Sequence, residues 1–535
     1  MHKTGYITAA ALTMMSMASG CKEDEIELND DYNRPFNIAA PIINAESSAK
    51  ALAEKWLSGT SWTTDEDGVL MTTYTSADSA KAENILKLND LSFYASGVLA
   101  PAPGETSATA TFQTSYWDSV EGQKLEHMRT RGGRLHIYPQ VLGSRSNVAT
   151  ITLADKNGAI KDDSGKELKV EWRMDQPTIQ DVDLNGYTIE PLETADGRWY
   201  LNVIITVNGL SGSETAYMEI DGGLYDVDVS EAYGYFGNHV VINDITSVRV
   251  VAFDRGDFPK EVEFKGSYAD IDIESTVGAP LEWTMGKMTF SDTDGKETEL
   301  DFSPGTVYFP QQSFDDYLAS KTLTPQVKNF HIDESNSNIQ DIINLHPAEY
   351  RYGMSLVANP HGETEGEKNF LSEEAGFRAV VRMSIPLWLK IKNLVHSEDV
   401  DLDFSDIFDD DNIDDVESMT IKITTDNGLP LKAMTQGYFR AGADIIDNLF
   451  DTPTLVCSTA KLDANDLVTA PTRTEIVKTL THDQVRRYYD TGVDRLTFET
   501  TVTTEDTGDR FVKIYKSYGI KTKVTVDIAS SATKK

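Results

Sequence analysis

The residues that could do chemistry do not have the spacings that common catalytic motifs require. No two of the nine histidines stand four residues apart with a glutamate between them, so the helical zinc-protease motif is absent. Segment 209–212 (Gly-Leu-Ser-Gly) is one residue short of a nucleophile elbow, and 165–167 (Gly-Lys-Glu) is not a phosphate-binding loop. With 86 acidic residues, no particular carboxylate pair can be nominated for glycoside hydrolysis. We therefore predict a protein without catalytic residues.

One acidic segment resembles the start of a calcium-binding loop. Asp181, Asp183 and Asn185, followed by a glycine, match the first six loop positions. The twelfth position should be an acid but is Leu192. The alternation over 179–183 also fits a strand that enters an Asn-Gly hairpin. The hairpin is the expected structure, and calcium is the only cofactor that the sequence indicates.

Tryptophan side chains could provide a flat surface for a ligand. Trp172 and Trp199 lie in stretches of alternating polarity and are predicted to be buried. Trp62 (Ser-Gly-Thr-Ser-Trp) and Trp117 (Ser-Tyr-Trp-Asp) have polar neighbours. These two are the candidates for an exposed ligand platform, and burial in a core is the alternative.

The first 20 residues have the organisation of an export signal. Lys3 precedes a short apolar stretch, 6–18, which is too short to span a bilayer. The small residues Ala18-Ser19-Gly20 follow, and Cys21 comes directly after them. A lysine and three acids, Lys22-Glu23-Asp24-Glu25, continue the chain.

This arrangement resembles the lipobox and surface-export signal of Bacteroidota surface lipoproteins. The resemblance implies that Cys21 is lipidated and becomes the mature N-terminus, and that the protein is lipid-anchored in the outer membrane and exposed at the cell surface. The implied export signal consists of Lys22, Glu23, Asp24 and Glu25. The alternative is an ordinary signal peptide cut near Ala18. If Cys21 is acylated, Cys457 is left single, and we predict that it is a buried core residue.

Most of the chain has the polarity pattern of short strands. Apolar and charged residues alternate over 168–174, and similar alternation recurs at 199–207, 246–253, 268–273, 495–502 and 520–528. Asn-Gly, Asp-Gly and Gly-Gly pairs, which favour tight hairpins, separate such stretches. Only short helices are predicted: at 47–57, at 482–491 after a capping box of Thr481 and Gln484, and at the further candidates 313–318 and 336–345. The pattern predicts an all-β protein of tandem antiparallel β-sandwich domains, immunoglobulin-like or related.

The predicted organisation is a series of consecutive segments. These are a signal peptide (1–20), an acidic flexible tether (21–45), and three β domains (46–215, 216–345 and 346–535). Segments 271–281 and 421–431 share a pattern of alternating strand, glycine turn and Pro-Leu at an offset of 150 residues. This similarity predicts that the third domain duplicates the second. Two unrelated strand–turn–strand units are the alternative.

Charge narrows the range of partners. With 48 lysines and arginines against 86 acids, the formal net charge is −38, which disfavours nucleic-acid binding. The predicted function is therefore a non-catalytic binding or adhesion role at the cell surface, with a glycan or a host or matrix protein as ligand and a lipid anchor in the membrane. The alternatives are a structural subunit of a surface appendage and a secreted glycan hydrolase.

Overall fold

A computed structural model of the chain describes residues 36–531 apart from short gaps. The gaps are 57–60, 118–121, 143–146, 174, 177–178, 212–213, 255–257, 403, 405–407, 409–412 and 506.

The described residues form many short strands and a few short helices. The helices are α1 (Ala49–Trp56), α2 (Ala82–Ile85), α3 (Phe314–Ser320), α4 (Ile339–Ile343) and α5 (His482–Asp490), with a 3-10 turn at Ile413–Asp415. The strands up to residue 249 are β1 (Phe36–Ser48), β2 (Trp62–Thr64), β3 (Leu70–Lys81), β4 (Leu91–Leu99), β5 (Ser107–Gln113), β6 (Lys124–Leu142), β7 (Val148–Asp155), β8 (Gly158–Ala159), β9 (Lys161–Asp162), β10 (Lys169–Trp172), β11 (Gln180–Asp183), β12 (Tyr187–Ile189), β13 (Leu192–Glu193), β14 (Trp199–Tyr200), β15 (Asn202–Asn208), β16 (Ala216–Tyr235) and β17 (His239–Arg249). The later strands are β18 (Val262–Phe264), β19 (Tyr268–Ser275), β20 (Leu281–Met285), β21 (Thr289–Ser291), β22 (Glu297–Glu299), β23 (Thr306–Phe309), β24 (Gln326–Ile332), β25 (Glu349–Ala358), β26 (Asn369–Ser372), β27 (Gly376–Pro386), β28 (Trp388–Ile391), β29 (Leu394–Asp401), β30 (Val416–Asn427), β31 (Leu431–Ala441), β32 (Asp444–Asn448), β33 (Thr454–Cys457), β34 (Lys461–Leu462), β35 (Val468–Ala470), β36 (Thr472–Thr481), β37 (Arg495–Thr504), β38 (Val512–Lys513) and β39 (Gly519–Ser530).

The all-β prediction is confirmed, and so is its basis in alternating polarity. On β10, Val170 and Trp172 are buried while Lys169 and Glu171 are exposed. The predicted helices are present as α1, α3, α4 and α5. In α5 the side chain of Thr481 accepts a hydrogen bond from the Gln484 backbone, and the Gln484 side chain caps Thr481 in return.

Strand pairing groups the main strands into three eight-stranded units. The first unit has sheets β4-β16-β6-β11 and β5-β15-β7-β10. The second has β3-β27-β19-β24 and β17-β25-β20-β23. The third has β1-β39-β30-β36 and β29-β37-β31-β33. If the strands of each unit are numbered 1 to 8 along the chain, every unit has the orders 1-8-3-6 and 2-7-4-5, which define an antiparallel jelly roll.

The three jelly rolls are nested rather than consecutive. The chain begins with strand 1 of the third jelly roll (β1), then strand 1 of the second (β3), then strand 1 of the first (β4). Strands 2 to 8 of the first jelly roll follow, then those of the second, and finally those of the third. The first jelly roll is thus inserted between strands 1 and 2 of the second, and both are inserted between strands 1 and 2 of the third. This arrangement differs from the predicted boundaries, because β16 closes the first unit and β25 and β27 belong to the second.

The predicted flexible tether is wrong for its last ten residues. Residues 36–45 belong to β1, which pairs with β39 along its whole length, while 21–35 lie outside the described residues. The asparagines and Pro41 of this segment favoured a tether. A proline is nevertheless tolerated here because β1 is an edge strand and its register shifts between Pro41 and Ile43.

The two similar segments at 271–281 and 421–431 occupy the same position in two jelly rolls. Each joins strand 3 to strand 4, and each proline carbonyl accepts a backbone N–H at 2.9 Å, Pro280 from Asn359 and Pro430 from Glu505. Both donor residues have a φ of +49°. The first jelly roll shares the strand order, although no similar segment was recognised in its sequence.

The glycines of these segments have a different role from the predicted one. Neither Gly278 nor Gly428 has a positive φ. A Cβ at Gly278 would lie 2.5 Å from the Phe370 ring, and one at Gly428 would lie 2.8 Å from the Gly519 carbonyl oxygen. Close approach of neighbouring chain segments, rather than turn geometry, therefore requires glycine here.

Small shared sheets connect the units. β26, from the second jelly roll, pairs with β16 of the first. The three-stranded sheet β18-β28-β38 joins the second jelly roll to the third. Beside it, Leu70, Leu387 and Ile514 exchange backbone hydrogen bonds of 2.7–2.9 Å. The hydrophobic core is consequently continuous from unit to unit.

Removal of β1 should destabilise the third jelly roll selectively. We expect a chain that starts at residue 61 to have a Tm lower by at least about 5 °C than one that starts at residue 36, because the edge of β39 and the contacts of Leu52 and Ala53 are lost. Hydrogen–deuterium exchange should increase in β39 and β30 and remain unchanged in β6 and β15. Equal stability of the two chains would contradict the nested arrangement.

Candidate functional site

The outer face of the first jelly roll's β4-β16-β6-β11 sheet carries an unusual concentration of exposed aromatic rings. Along β4, Leu91, Phe93 and Ala95 are buried, so the residues between them point outward. Four tyrosines are exposed by more than a third among the described residues, and three of them lie on this face: Tyr94 (58%), Tyr217 (45%) and Tyr138 (36%). The fourth, Tyr308, lies in the second jelly roll.

The register of the strands places these side chains next to one another. Tyr94, Asp221 and Tyr138 form a row across β4, β16 and β6. Val98 lies opposite Tyr217 at one end of the sheet. At the other end, the His136 ring lies between two tyrosine rings, with centroid distances of 6.1 Å to Tyr138 and 5.4 Å to Tyr225. We call this set the tyrosine face: Tyr94, Val98, His136, Tyr138, Tyr217 and Tyr225.

Polar side chains orient the rings and lie between them. The Tyr94 hydroxyl donates a hydrogen bond to Glu219 Oε1 at 2.7 Å, and this bond raises the pKa of the phenol. Gln140 Nε2 donates to Asp221 Oδ2 at 2.9 Å. The Tyr94 ring is thus held at its hydroxyl while more than half of the residue stays exposed.

Gly223 makes room for one of the rings. It lies on the outer side of β16 beneath the Tyr225 ring, and a Cβ there would be 2.2 Å from the Leu91 carbonyl oxygen and 2.8 Å from a Tyr225 ring carbon. Burial raises the pKa of Tyr225, which is consistent with a ring packed against the sheet. The position therefore requires glycine.

The corresponding sheets of the other two jelly rolls have a different outer surface. In the second, Asp272 pairs with Arg382, and Asp270 with His331. In the third, Lys422 lies 2.8 Å from Glu475, and Thr420 shares a hydroxyl hydrogen bond with Thr479. Ion pairs and hydroxyl pairs can thus cover the outer face of the equivalent sheet in the other two units. The fold therefore does not require exposed tyrosines at this face.

A cleft of about 710 Å³ lies beyond the tyrosine face, further along β6 and β16, where the first and second jelly rolls meet. Arg131 lies in it between Asp228 (2.6 Å) and Glu373 (3.0 Å) of the second jelly roll. The hydrogen bond to Asp228 raises the pKa of the guanidinium. Leu86 and Phe377 are among the apolar residues that line it. The cleft is thus a junction between the two units that ion pairs hold together.

The predicted tryptophan platform is wrong. Trp62 is 4% exposed and Trp117 is 1% exposed. Their sequence neighbours are polar, but pairing of β2 with β3 and the backbone bond from Trp117 to Trp199 place both indoles inside. One sequence feature could have indicated the tyrosine face. In segment 91–99, tyrosine and valine occupy positions at which a half-buried strand usually has polar residues.

The acidic segment does not form the expected hairpin, because β11 and β12 both pair antiparallel with β6, one after the other, on either side of a turn. Asp181 lies on β11 and contacts His136, while Asp183 Oδ1 accepts the Asn185 backbone N–H at 3.0 Å. Gly186 completes the turn with a φ of +81°. Within the described ranges, no three histidine, cysteine, aspartate or glutamate side chains converge as metal ligands.

The remaining predicted residues are the two cysteines and the export signal. Cys457 is buried in β33, and burial raises the pKa of its thiol to about 12, so the prediction of a core residue is confirmed. Cys21, Lys22, Glu23, Asp24 and Glu25 lie outside the described residues. In the part of the chain that is described, no helix has the length and apolar character needed to cross a membrane.

Comparison with known proteins gives little information beyond what the strand order shows. No protein-family model matches the chain, and no curated protein matches its sequence. A protein described as a "putative secreted protein" from Parabacteroides distasonis aligns at 12% identity over 55% of this chain and 83% of its own, with a TM-score of 0.28. The VP2 subviral particle of infectious bursal disease virus aligns at 8% identity over 90% and 86% of the two chains (TM-score 0.13), and the CBM22-1–CBM22-2 tandem of Paenibacillus barcinonensis Xyn10C at 10% over 56% and 93% (TM-score 0.13). The jelly-roll assignment therefore rests on the strand pairing alone.

Gly223→Ala tests the packing under the tyrosine face. We expect a loss of about 1–3 kcal/mol in the free energy of unfolding, measured in urea, because the new methyl group displaces the Tyr225 ring or the β4 backbone. Gly353→Ala on β25, where a Cβ would meet nothing within 4 Å, is the matched control. If both variants were equally stable, the close approach at Gly223 would be refuted.

Proposed function

We propose that the protein is a non-catalytic glycan-binding protein of the bacterial cell surface and that the tyrosine face is its ligand site. The observation that carries the proposal is the clustering of exposed Tyr94, Tyr138 and Tyr217 on one sheet, where the two other jelly rolls have ion pairs and threonines. Large aromatic side chains are normally buried, and their exposure as a group on a stable sheet indicates a binding surface.

The chemistry of the face fits a neutral polysaccharide. Tyrosine rings provide rigid, flat, amphipathic contact area with little side-chain entropy to lose. Glu219, Asp221 and Gln140 lie between the rings and can accept or donate hydrogen bonds to sugar hydroxyls. The same carboxylates, with Asp181 and Asp183 on the adjacent β11, would repel sulfate or carboxylate groups.

The size of the face suits a chain rather than a single small ring. Tyr94 and Tyr138 lie on the two strands that flank β16, so they are about 10 Å apart across the sheet. Tyr217 and Val98 extend the surface along the strands. An open sheet face favours binding along the length of a polymer over capture of its end.

The proposed location follows from the N-terminal sequence. We infer a lipid anchor at Cys21 in the outer membrane, with Lys22, Glu23, Asp24 and Glu25 directing exposure at the surface. Residues 22–35 alone separate that cysteine from β1, so the third jelly roll would be tied closely to the membrane.

Loss of the rings should abolish most of the binding. Affinity electrophoresis of the parent chain on a panel of xylan, galactomannan, glucan and mannan identifies the neutral polysaccharide that it binds. We expect the double variant Tyr94→Ala/Tyr217→Ala to bind this polysaccharide at least about tenfold more weakly than the parent chain. Tyr308→Ala, which removes an equally exposed tyrosine from the second jelly roll, should bind like the parent.

Two results would contradict the proposal. One is a parent chain that binds no neutral polysaccharide on the panel. The other is a double variant with full affinity and an unchanged Tm. Tyr94→Phe, which keeps the ring but loses the bond to Glu219, should retain most of the affinity because the contact surface remains.

Lipidation is tested separately. Intact-mass analysis of the protein expressed in a Bacteroidota host should show acyl chains on an N-terminal Cys21, and Cys21→Ser should shift the protein from the membrane to the soluble fraction. An unmodified Cys21 in the membrane fraction would refute the anchor without affecting the glycan proposal.

A further inference from the structure

The outer surface of the β18-β28-β38 sheet, at the junction of the second and third jelly rolls, carries clustered lysines, whereas the tyrosine face carries carboxylates. Its inner side chains, Val262, Leu389 and Val512, are buried in the core. Its outer side carries lysines around two aromatic rings, together with Glu263 opposite Lys390. We call these residues the lysine–tryptophan patch: Lys265, Trp388, Lys390, Phe511 and Lys513.

The backbone fixes this arrangement. Trp388 lies opposite Lys513 in the β28–β38 register, and its carbonyl accepts the Lys265 backbone N–H at 2.7 Å on the other side. The two ammonium groups are each 4.9 Å from the centroid of the Trp388 ring. Gly266 has a φ of +71°, and a Cβ there would be 2.9 Å from the ring. The indole is thus held in place between two cations.

The two lysines beside the indole are not neutralised by a neighbour. Lys390 lies 2.8 Å from Glu263, and Lys392 lies 2.7 Å from Asp509. In contrast, Lys265 and Lys513 form no ion pair with a carboxylate in the part of the chain that the structure describes. In a protein with a net charge of −38, this leaves a local excess of positive charge beside a flat ring.

We propose that the lysine–tryptophan patch is a second ligand site, which binds the sulfate or carboxylate groups of an acidic polysaccharide. Ammonium groups bind such anions through charge-assisted hydrogen bonds, and the indole adds an apolar surface for a sugar ring. The patch lies on other jelly rolls than the tyrosine face, so this inference stands or falls independently of the proposed function. A single-stranded nucleic acid is the competing occupant, and the binding experiment includes it.

The test measures binding of the full chain to heparin, which carries sulfates and carboxylates, and to polygalacturonate, which carries carboxylates alone. In Lys265→Met/Lys513→Met the aliphatic stems continue to cover Trp388 while both charges are lost. We expect binding of at least one polyanion to weaken by about tenfold or more in 50 mM NaCl, and the parent's affinity to fall as salt is raised.

The control removes the same charge elsewhere. Lys422→Met/Lys521→Met in the third jelly roll removes two lysines that are paired with Glu475 and Glu46, and it should bind like the parent. Tyr94→Ala/Tyr217→Ala should also retain polyanion binding. The proposal is overturned if the parent binds neither polyanion, if both lysine double variants lose affinity equally, or if single-stranded DNA binds as tightly as heparin.

Discussion

The fold depends on the pairing of β1 with β39, at opposite ends of the described chain. This pairing completes the third jelly roll only after everything between strands 1 and 2 of that unit has been accommodated. Loop-closure entropy grows slowly with length, by about 0.6 kcal/mol per doubling, so long insertions are tolerated thermodynamically. Folding of the inserted units shortens the effective loop further. The same reasoning applies to β3 with β27, and the nesting is stable because each inner jelly roll is itself closed, as by β4 with β16.

Because the same strand order occurs three times, residues that the fold requires can be distinguished from residues that a ligand site requires. The inner face of each 1-8-3-6 sheet is apolar in all three units, because it must bury a core. The outer face is free to vary, and it carries tyrosines in the first unit, the Asp272–Arg382 pair in the second and the Lys422–Glu475 pair in the third. A jelly roll by itself implies no function, and the assignment of a site therefore depends on these differences between units that share a backbone arrangement.

The sequence was sufficient to predict features that depend on neighbours along the chain. Alternating polarity predicted β10, and the Thr481–Gln484 capping box predicted the start of α5. Features that depend on distant partners were not predictable in the same way. The Pro41 segment has a strand conformation only because β39 lies beside it, and Trp62 and Trp117 are buried by strands whose pairing their polar neighbours do not reveal. The tyrosine face combines residues from β4, β6 and β16, so it exists only once the register of those strands is known.

The two proposed sites can coexist on one acidic protein because electrostatic effects in salt are local. At physiological ionic strength, charges more than about 8 Å apart are largely screened, so the total of −38 does not determine the potential at any one surface. At the lysine–tryptophan patch, the ammonium groups of Lys265 and Lys513 each lie 4.9 Å from the centroid of the indole. At the tyrosine face, Glu219 accepts the hydrogen bond of the Tyr94 hydroxyl, and Asp221 lies between Tyr94 and Tyr138. The first surface therefore favours anionic groups and the second excludes them, so one chain could bind both neutral and acidic stretches of a mixed polysaccharide without competition between its sites.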